Sequence, residues 1–330
     1  MTVPKRWNRI IDEALEKTIV GSFTNVGYCV RSRTQGWSPS TGAAGRTVVV
    51  TGATSGIGLA TAEQLAREGA HVHLVGRSPD KLASALETVE REARATVSAH
   101  RCDLSLLHDT RDLAEELKDL AAPVDVLVHN AGALLSTYTP TAEHVETTLA
   151  VHLLSPFYLT QQLIRSASFA PHARVITMTS GGMYTEPFNL ATLEVHRADY
   201  KGTAAYARAK RAQTILTGYW QRTYGPGGVA FHLVHPGWAH TPGVSGGLPG
   251  FATLMGPLLR TPEQGADTAL WLAGLPDGEP RPGQLWFDRQ PRSLYRVRKT
   301  RLSEYEERSA QDQLAAWCEE RITRIVRSHE

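Results

Sequence analysis

The sequence predicts an α/β fold, a parallel doubly wound sheet flanked by helices, and two observations carry that reading. From Thr47 onward, short β-branched runs alternate with longer stretches of helical apolar spacing. The first run, Val48-Val49-Val50, ends in Thr51-Gly52-Ala53-Thr54-Ser55-Gly56-Ile57-Gly58, and the helix-forming residues Leu59 to Glu68 follow directly. Strand, tight turn and helix start in that order favour a parallel sheet with ligands at the carboxyl ends of its strands.

Taken in order, residues 8–31 space Ile11, Leu15, Ile19, Phe23, Val26 and Val30 along one side of a helix that Gly21 and Gly27 weaken. Lys5, Arg6, Arg9, Arg31 and Arg33 flank it. Two readings follow: the apolar face packs on the protein's own body or a second subunit, or it docks peripherally on an anionic membrane. Residues 34–45 have the small polar composition of a linker. Val72 to Val75, Thr96 to Ala99, Val124 to Val128, Val175 to Met178 and Val229 to Val234 read as further buried strands. Leu82 to Arg94, Leu106 to Leu120, Ala142 to Arg165 and Ala204 to Arg222 read as the helices between them. Residues 183–205 and 243–260 are substrate loops, a mobile lid or plain surface. Residues 292–330 are charged, with apolar points at Leu314, Trp317, Ile322 and Ile325, and read as a peripheral helix over the pocket or a subunit contact. The organisation is therefore an N-terminal extension (1–45), one catalytic domain (46–291) and a C-terminal extension (292–330).

Composition narrows the partners. The chain carries 35 basic and 33 acidic residues among 330, so no net field argues for nucleic acid. Cys29, Cys102 and Cys318 are scattered, with no Cys-x-x-Cys spacing, which suits a reducing compartment and argues against a disulfide framework or a metal site. No stretch is apolar enough to span a bilayer and the N-terminus lacks a secretory core, so the cytoplasm is the expected location.

The glycine turn can cradle a pyrophosphate. Its backbone approaches a ligand with no Cβ in the way, and the following helix N-terminus favours an anion. Where a dinucleotide site needs an acid for the ribose hydroxyls, the second strand ends in Gly76-Arg77, which favours NADP while leaving NAD possible. Asp103-Leu104 and Asn130-Ala131-Gly132 end the next two strands and offer polar atoms near the nucleotide. Tyr206 and Lys210 are four apart in a helix, which puts phenol and ammonium on one face. A phenol titrates near pH ~10 and needs such a cation to exchange protons near neutrality. Ser180, ending the fifth strand, can hydrogen-bond a reacting oxygen.

With these residues in one chain, the sequence resembles the short-chain dehydrogenase/reductases over residues 46–289, in particular retinol-dehydrogenase-like members with a long Ser-to-Tyr segment. The N-terminal helix, Ser180-Gly181-Gly182-Met183, His235-Pro236-Gly237-Trp238 with Thr241-Pro242-Gly243, and Gln264 to Thr268 look most like that family's dehydrogenase/reductase member 12 group. The resemblance implies a Rossmann-type sheet of about seven strands and reversible hydride transfer to or from a carbonyl or alcohol on an apolar body. Tyr206 would be the general acid, Lys210 would lower its pKa and hold the ribose, and Ser180 would polarise the substrate oxygen. Thr51, Gly52, Thr54, Ser55, Gly56, Ile57, Gly58, Arg77, Asp103, Leu104, Asn130, Ala131, Gly132, Pro236, Gly237 and Thr241 would join Tyr206 and Lys210 around the cofactor. One departure stands out: His152 occupies the position where the family usually places an Asn in a proton relay. It either substitutes for that amide or is a packed histidine. The rival function is an NADP(H)-binding protein with little catalysis, docked on a membrane or partner through residues 8–31.

Overall fold

The computed structural model describes residues 5–39 and 42–327. Residues 1–4 of the N-terminal extension, 40–41 of the expected linker and 328–330 of the C-terminal extension lie outside the described residues. In chain order the elements are α1 (Lys5–Glu16), α2 (Ile19–Phe23), α3 (Asn25–Thr34), β1 (Thr47–Thr51), α4 (Gly56–Glu68), β2 (His71–Gly76), α5 (Pro79–Glu90), β3 (Val97–Arg101), α6 (Leu107–Lys118) and β4 (Val124–His129). There follow α7 (Thr147–Leu149), a π turn (Ala150–Leu154), α8 (Ser155–Arg165), β5 (Phe169–Met178), α9 (Gly202–Tyr224) and β6 (Ala230–Val234). The chain ends with α10 (Pro242–Gly247), α11 (Pro249–Met255), α12 (Pro262–Gly274), β7 (Leu285–Phe287), β8 (Gln290–Arg292) and α13 (Glu304–Arg327).

The sheet has eight strands in the order β3-β2-β1-β4-β5-β6-β7-β8, parallel except for β8. The six strands read from the sequence form, and β7 and β8, three residues each and too short for a periodic signal, bring the total to eight where the resemblance implies about seven. β1 is buried along its whole length, as a central strand covered on both faces must be. The strand order reverses between β1 and β4, which leaves a crevice at their carboxyl ends. One face is covered by α4, α5 and α12, through residues such as Leu65, Leu82, Ala269 and Leu272. The other is covered by α6, α8 and α9, through Leu113, Phe157 and Leu216 among others.

The two extensions differ from the sequence reading. Residues 8–31 form parts of three helices rather than one, with breaks at Thr18 and Thr24, both in extended backbone. Gly27 lets α3 cross α2, since a Cβ there would meet the carbonyls of Gly21 and Ser22. Of the expected stripe, Phe23 is buried inside the body while Ile19 and Val26 stay exposed. Arg31 pins the bundle: buried, it donates to Asp12 (2.7 Å), Glu16 (3.1 Å) and Asp288 (2.7 Å). The segment 243–260, expected as a loop, is mostly helical, and 183–205 runs through short 3₁₀ turns into the start of α9. Finally, α13 does not cover the cleft described below. It packs on α9 and α6, burying Leu314, Cys318, Ile322 and Ile325, with Trp317 half-buried at its edge.

Because Leu314 is fully buried in this outer layer, Leu314→Ala is expected to destabilise the protein by about 2–5 kcal/mol. Urea denaturation should show a lowered midpoint with unchanged slope, and an unchanged midpoint would mean that α13 does not contribute to the core.

Candidate active site

The crevice at the strand ends opens into a cleft of about 780 Å³, a volume suited to a small organic ligand or cofactor. Its floor is a clasp between β1 and β4. Thr51 Oγ1 donates to Val128 O (3.1 Å) and accepts from the amides of Asn130 (3.0 Å) and Ala131 (3.1 Å). Asn130 Nδ2 returns hydrogen bonds to Thr51 O (3.0 Å) and Gly52 O (3.3 Å). Gly52 and Gly56 have φ of +66° and +55°, left-handed backbone that favours glycine. Gly58 is demanded by contact instead, because a Cβ would strike Gly52 O and Asn130 Nδ2. The turn thus delivers the N-terminus of α4 into the cleft, where its amides favour an anion.

Most of the expected cofactor residues line this cleft: Gly52, Thr54, Ser55, Gly56, Ile57, Arg77, Asp103, Leu104, Asn130, Ala131, Gly132, Pro236, Gly237 and Thr241. Thr51 and Gly58 do not. They lie behind the surface, Thr51 holding the clasp and Gly58 making room for it, so their contribution is structural support. Arg77 is exposed at the rim, and the sequence reading missed two neighbours there, Ser78 and Lys81. Ser78 caps α5 by accepting from the Lys81 amide, which fixes the backbone beside Arg77. Asp103 faces the same end; its Oδ1 accepts from Ser105 N (2.9 Å).

At the other end, Ser180, Tyr206, Lys210 and His152 come together in the cleft. Ser180 Oγ accepts from Gly182 N (3.1 Å) and neighbours the Tyr206 phenol in the cleft. Lys210 is buried one helical turn on, its Nζ donating to Met178 O (2.7 Å) and lying 5.6 Å from the Tyr206 ring centroid. Burial pushes the Lys210 pKa down to about 7. Burial raises the Tyr206 phenol, with the neighbouring Ser180 hydroxyl opposing it.

His152 sits in the π turn, an irregularity often found at functional sites. Its ring fits only because residue 132 is glycine: a Cβ there would lie 2.7 Å from His152 Cε1. Nε2 faces the Ala133 peptide, 3.0 Å from its nitrogen and 2.8 Å from its oxygen, and Nδ1 has no hydrogen-bond partner among the described residues. The ring stands edge-on to Tyr206 with centroids 5.2 Å apart. Burial, and secondarily the Lys210 charge, hold the imidazole neutral by lowering its pKa far below the usual range. The His152 carbonyl accepts from Gln213 Nε2 (2.8 Å), a contact unforeseen from the sequence. Only its spacing from Lys210, three residues along the same helix, could have suggested it.

The remaining wall is apolar: Leu134, Val151, Met178, Trp238, Leu248 and Phe251. Trp238 and Phe251 meet edge to face at 5.0 Å. These residues come from separate elements and carry no shared spacing, so pattern alone could not gather them. From the two expected substrate segments, Thr185 and Thr203 of 183–205 and Gly243, Leu248 and Phe251 of 243–260 reach the cleft.

A doubly wound sheet with a glycine turn and a ligand cleft at its switch point defines the class of dinucleotide-binding enzymes. Within that class, the chain belongs to the short-chain dehydrogenase/reductase family of oxidoreductases, whose short chain dehydrogenase model matches residues 46–246. It is 37% identical over 249 residues to dehydrogenase/reductase SDR family member 12 of Bos taurus, covering 75% of this chain and 78% of that protein. It is 31% identical over 238 residues to human retinol dehydrogenase 13, covering 69% of this chain and 72% of that protein. A solved structure of a protein from Beutenbergia cavernae with bound NADP matches at a TM-score of 0.60 and 28% identity, covering 76% of this chain and 97% of that one. The relatives agree with the motif-based resemblance to the member 12 group and to retinol-dehydrogenase-like members.

Lys210 makes a pH prediction. Its pKa falls from 10.5 in the unfolded chain to about 7 in the fold, so between these values the unfolded state binds the extra proton and stability rises with pH. Urea denaturation from pH 7 to 9 should show this rise in the parent protein and a smaller one in Lys210→Met; parallel curves would refute the buried, depressed lysine.

Proposed function

We propose that the protein is an NADP-preferring oxidoreductase that interconverts a carbonyl and an alcohol on an apolar molecule. The single observation that carries this reading is that Ser180 and Tyr206 stand together in the cleft with Lys210 buried beside them, at the junction of a phosphate cradle and an apolar wall. The cradle fits a nicotinamide dinucleotide: α4 offers amides to the pyrophosphate and Asn130 to Gly132 line the path beyond. Arg77 stands where a ribose-binding acid would select NAD and instead suits a 2′-phosphate, with Lys81 adding charge. The NADP bound to the Beutenbergia cavernae relative supports the same cofactor class. When bound, a nicotinamide supplies or takes the hydride.

The chain's own residues handle the proton. A substrate oxygen in reach of Ser180 and Tyr206 accepts from both hydroxyls, which stabilises the charge that develops there. Burial keeps the Tyr206 phenol protonated near neutral pH, the form required to donate to a carbonyl oxygen during reduction. Protonated Lys210 then stabilises the phenolate that remains, and with its pKa about 7 it is charged in only part of the population at neutral pH. His152 and Gln213 close the π turn behind this pair and hold it in place. The wall of Trp238, Phe251, Leu248 and Leu134 receives the apolar body of the substrate.

Tyr206→Phe is expected to keep NADPH binding while lowering turnover by about 10²–10⁴-fold, followed as NADPH absorbance against a panel of aldehydes and ketones. Unchanged turnover would overturn the assignment of the acid. Tight NADPH binding by the parent protein with no oxidation on any carbonyl would favour the docked, cofactor-binding reading. Arg77→Ala is expected to weaken NADPH binding about tenfold and leave NADH binding unchanged in fluorescence titration; equal losses for both cofactors would remove Arg77 from 2′-phosphate recognition.

A further inference from the structure

The N-terminal helices meet the cleft at one place. The Trp238 amide donates to Phe23 O (2.8 Å), and Trp238 O accepts from the Arg260 amide (2.8 Å). Arg260 is itself buried, and its guanidinium closes the carboxyl end of α2: Nε donates to Phe23 O (3.1 Å) and Thr24 O (3.2 Å), and Nη2 donates to Ser22 O (3.1 Å). A cation at a helix C-terminus both satisfies orphan carbonyls and opposes the dipole. Asp288 binds that guanidinium through both oxygens (2.6 and 2.9 Å) and also accepts from Arg31 of α3 (2.7 Å). Gly237 lies directly against Arg260, at φ +77°, where a Cβ would strike the guanidinium.

The Phe23 ring fills the space beneath this turn. It lies 4.4 Å from the His235 ring, 5.7 Å from Trp238 and 5.3 Å from Phe287 by centroid, with Arg296 4.8 Å above it. Pro236, Gly237 and Trp238 are cleft residues, and Trp238 carries Phe251 on its far side. A segment that precedes the family match at residue 46 therefore buttresses the wall of the cleft from behind.

We propose that residues 19–24 are a built part of the active site, in which Phe23 is a positioning residue that acts through Trp238 to shape the apolar substrate wall. The contact with substrate is made by Trp238 and Phe251; Phe23 sets where they stand. The catalytic consequence rests on the oxidoreductase reading above, whereas the mechanical one does not. Removing the ring should leave a void under the 235–238 turn and loosen it, with the β1 and β4 strands at the centre of the sheet undisturbed.

Two measurements test this on the full chain. Hydrogen exchange followed by mass spectrometry should show residues 236–242 exchanging about tenfold faster in Phe23→Ala than in the parent, with peptides of β1 and β4 unchanged and Phe23→Leu intermediate. Unchanged exchange at 236–242 in both variants overturns the proposal, as does uniformly faster exchange everywhere in both. With NADPH and 4-phenylbutan-2-one as probe, Phe23→Ala and Trp238→Ala should each raise KM about five- to tenfold with kcat within about twofold. The double variant should be no worse than Trp238→Ala alone. Additive effects, or a lowered melting temperature with unchanged KM, reduce Phe23 to a purely structural role. If the parent turns over no carbonyl, the oxidoreductase reading fails and the exchange result alone decides the buttress.

Discussion

The close approach of the β1 and β4 strand ends is the constraint on which the site depends. Thr51 and Asn130 exchange hydrogen bonds across the point where the strand order reverses, and each satisfies polar groups that the turn would otherwise leave unpaired. That exchange requires the backbones to touch, which only glycine permits at positions 52 and 58. Once they touch, the N-terminus of α4 points into the crevice and the loop after β4 is held against it. The proposed phosphate cradle is thus a consequence of how two strands are clasped.

The chemical end is built on a different principle, burial of groups that water would otherwise stabilise. Lys210 is buried on the cleft side of α9, with Met178 O as its hydrogen-bond acceptor, and its ammonium gives up much of its preference for charge. Tyr206 is shifted the other way, toward its protonated form. Desolvation alone moves both groups toward the neutral state, which brings the lysine close to physiological pH and keeps the phenol a proton donor. His152 joins this desolvated cluster as a neutral ring wedged against Gly132 and the Ala133 peptide. Gly132 leaves room for an imidazole at that place, and Gln213 bonds the backbone carbonyl of residue 152, which does not depend on its side chain.

The apolar side of the cleft depends on buried charge away from Tyr206 and Lys210. Arg260, Asp288 and Arg31 form a buried ion cluster, costly to leave incomplete, that ties the N-terminal helices to the β7–β8 hairpin and to the turn after β6. Asp288 accepts a left-handed backbone, φ +53°, at the tip of that hairpin, and its carboxylate is held by the two arginines from either side. The apolar wall stands on this ionic frame, so the shape of the pocket and the docking of the extension are one arrangement.

The sequence alone determined those features that local periodicity and backbone chemistry dictate. These include the alternation of strands and helices, the glycine turn, the one-turn spacing of Tyr206 and Lys210, and the absence of an acid after β2. Each is a short-range property: a strand period, a missing Cβ, or a helical repeat. The tertiary structure decided what depends on distant contacts. It broke the N-terminal stripe into three helices and placed Phe23 against Trp238, over two hundred residues away in sequence. It added β7 and β8, whose three-residue lengths carry no pattern, and set α13, which the sequence left between the pocket and a subunit contact, on the back of α9. It withdrew Thr51 and Gly58 from the cleft surface into its support, and it gathered the apolar wall from loops with no shared spacing. A pocket is a meeting of surfaces, and which surfaces meet is settled by long-range packing and buried charge, neither of which leaves a period in the chain.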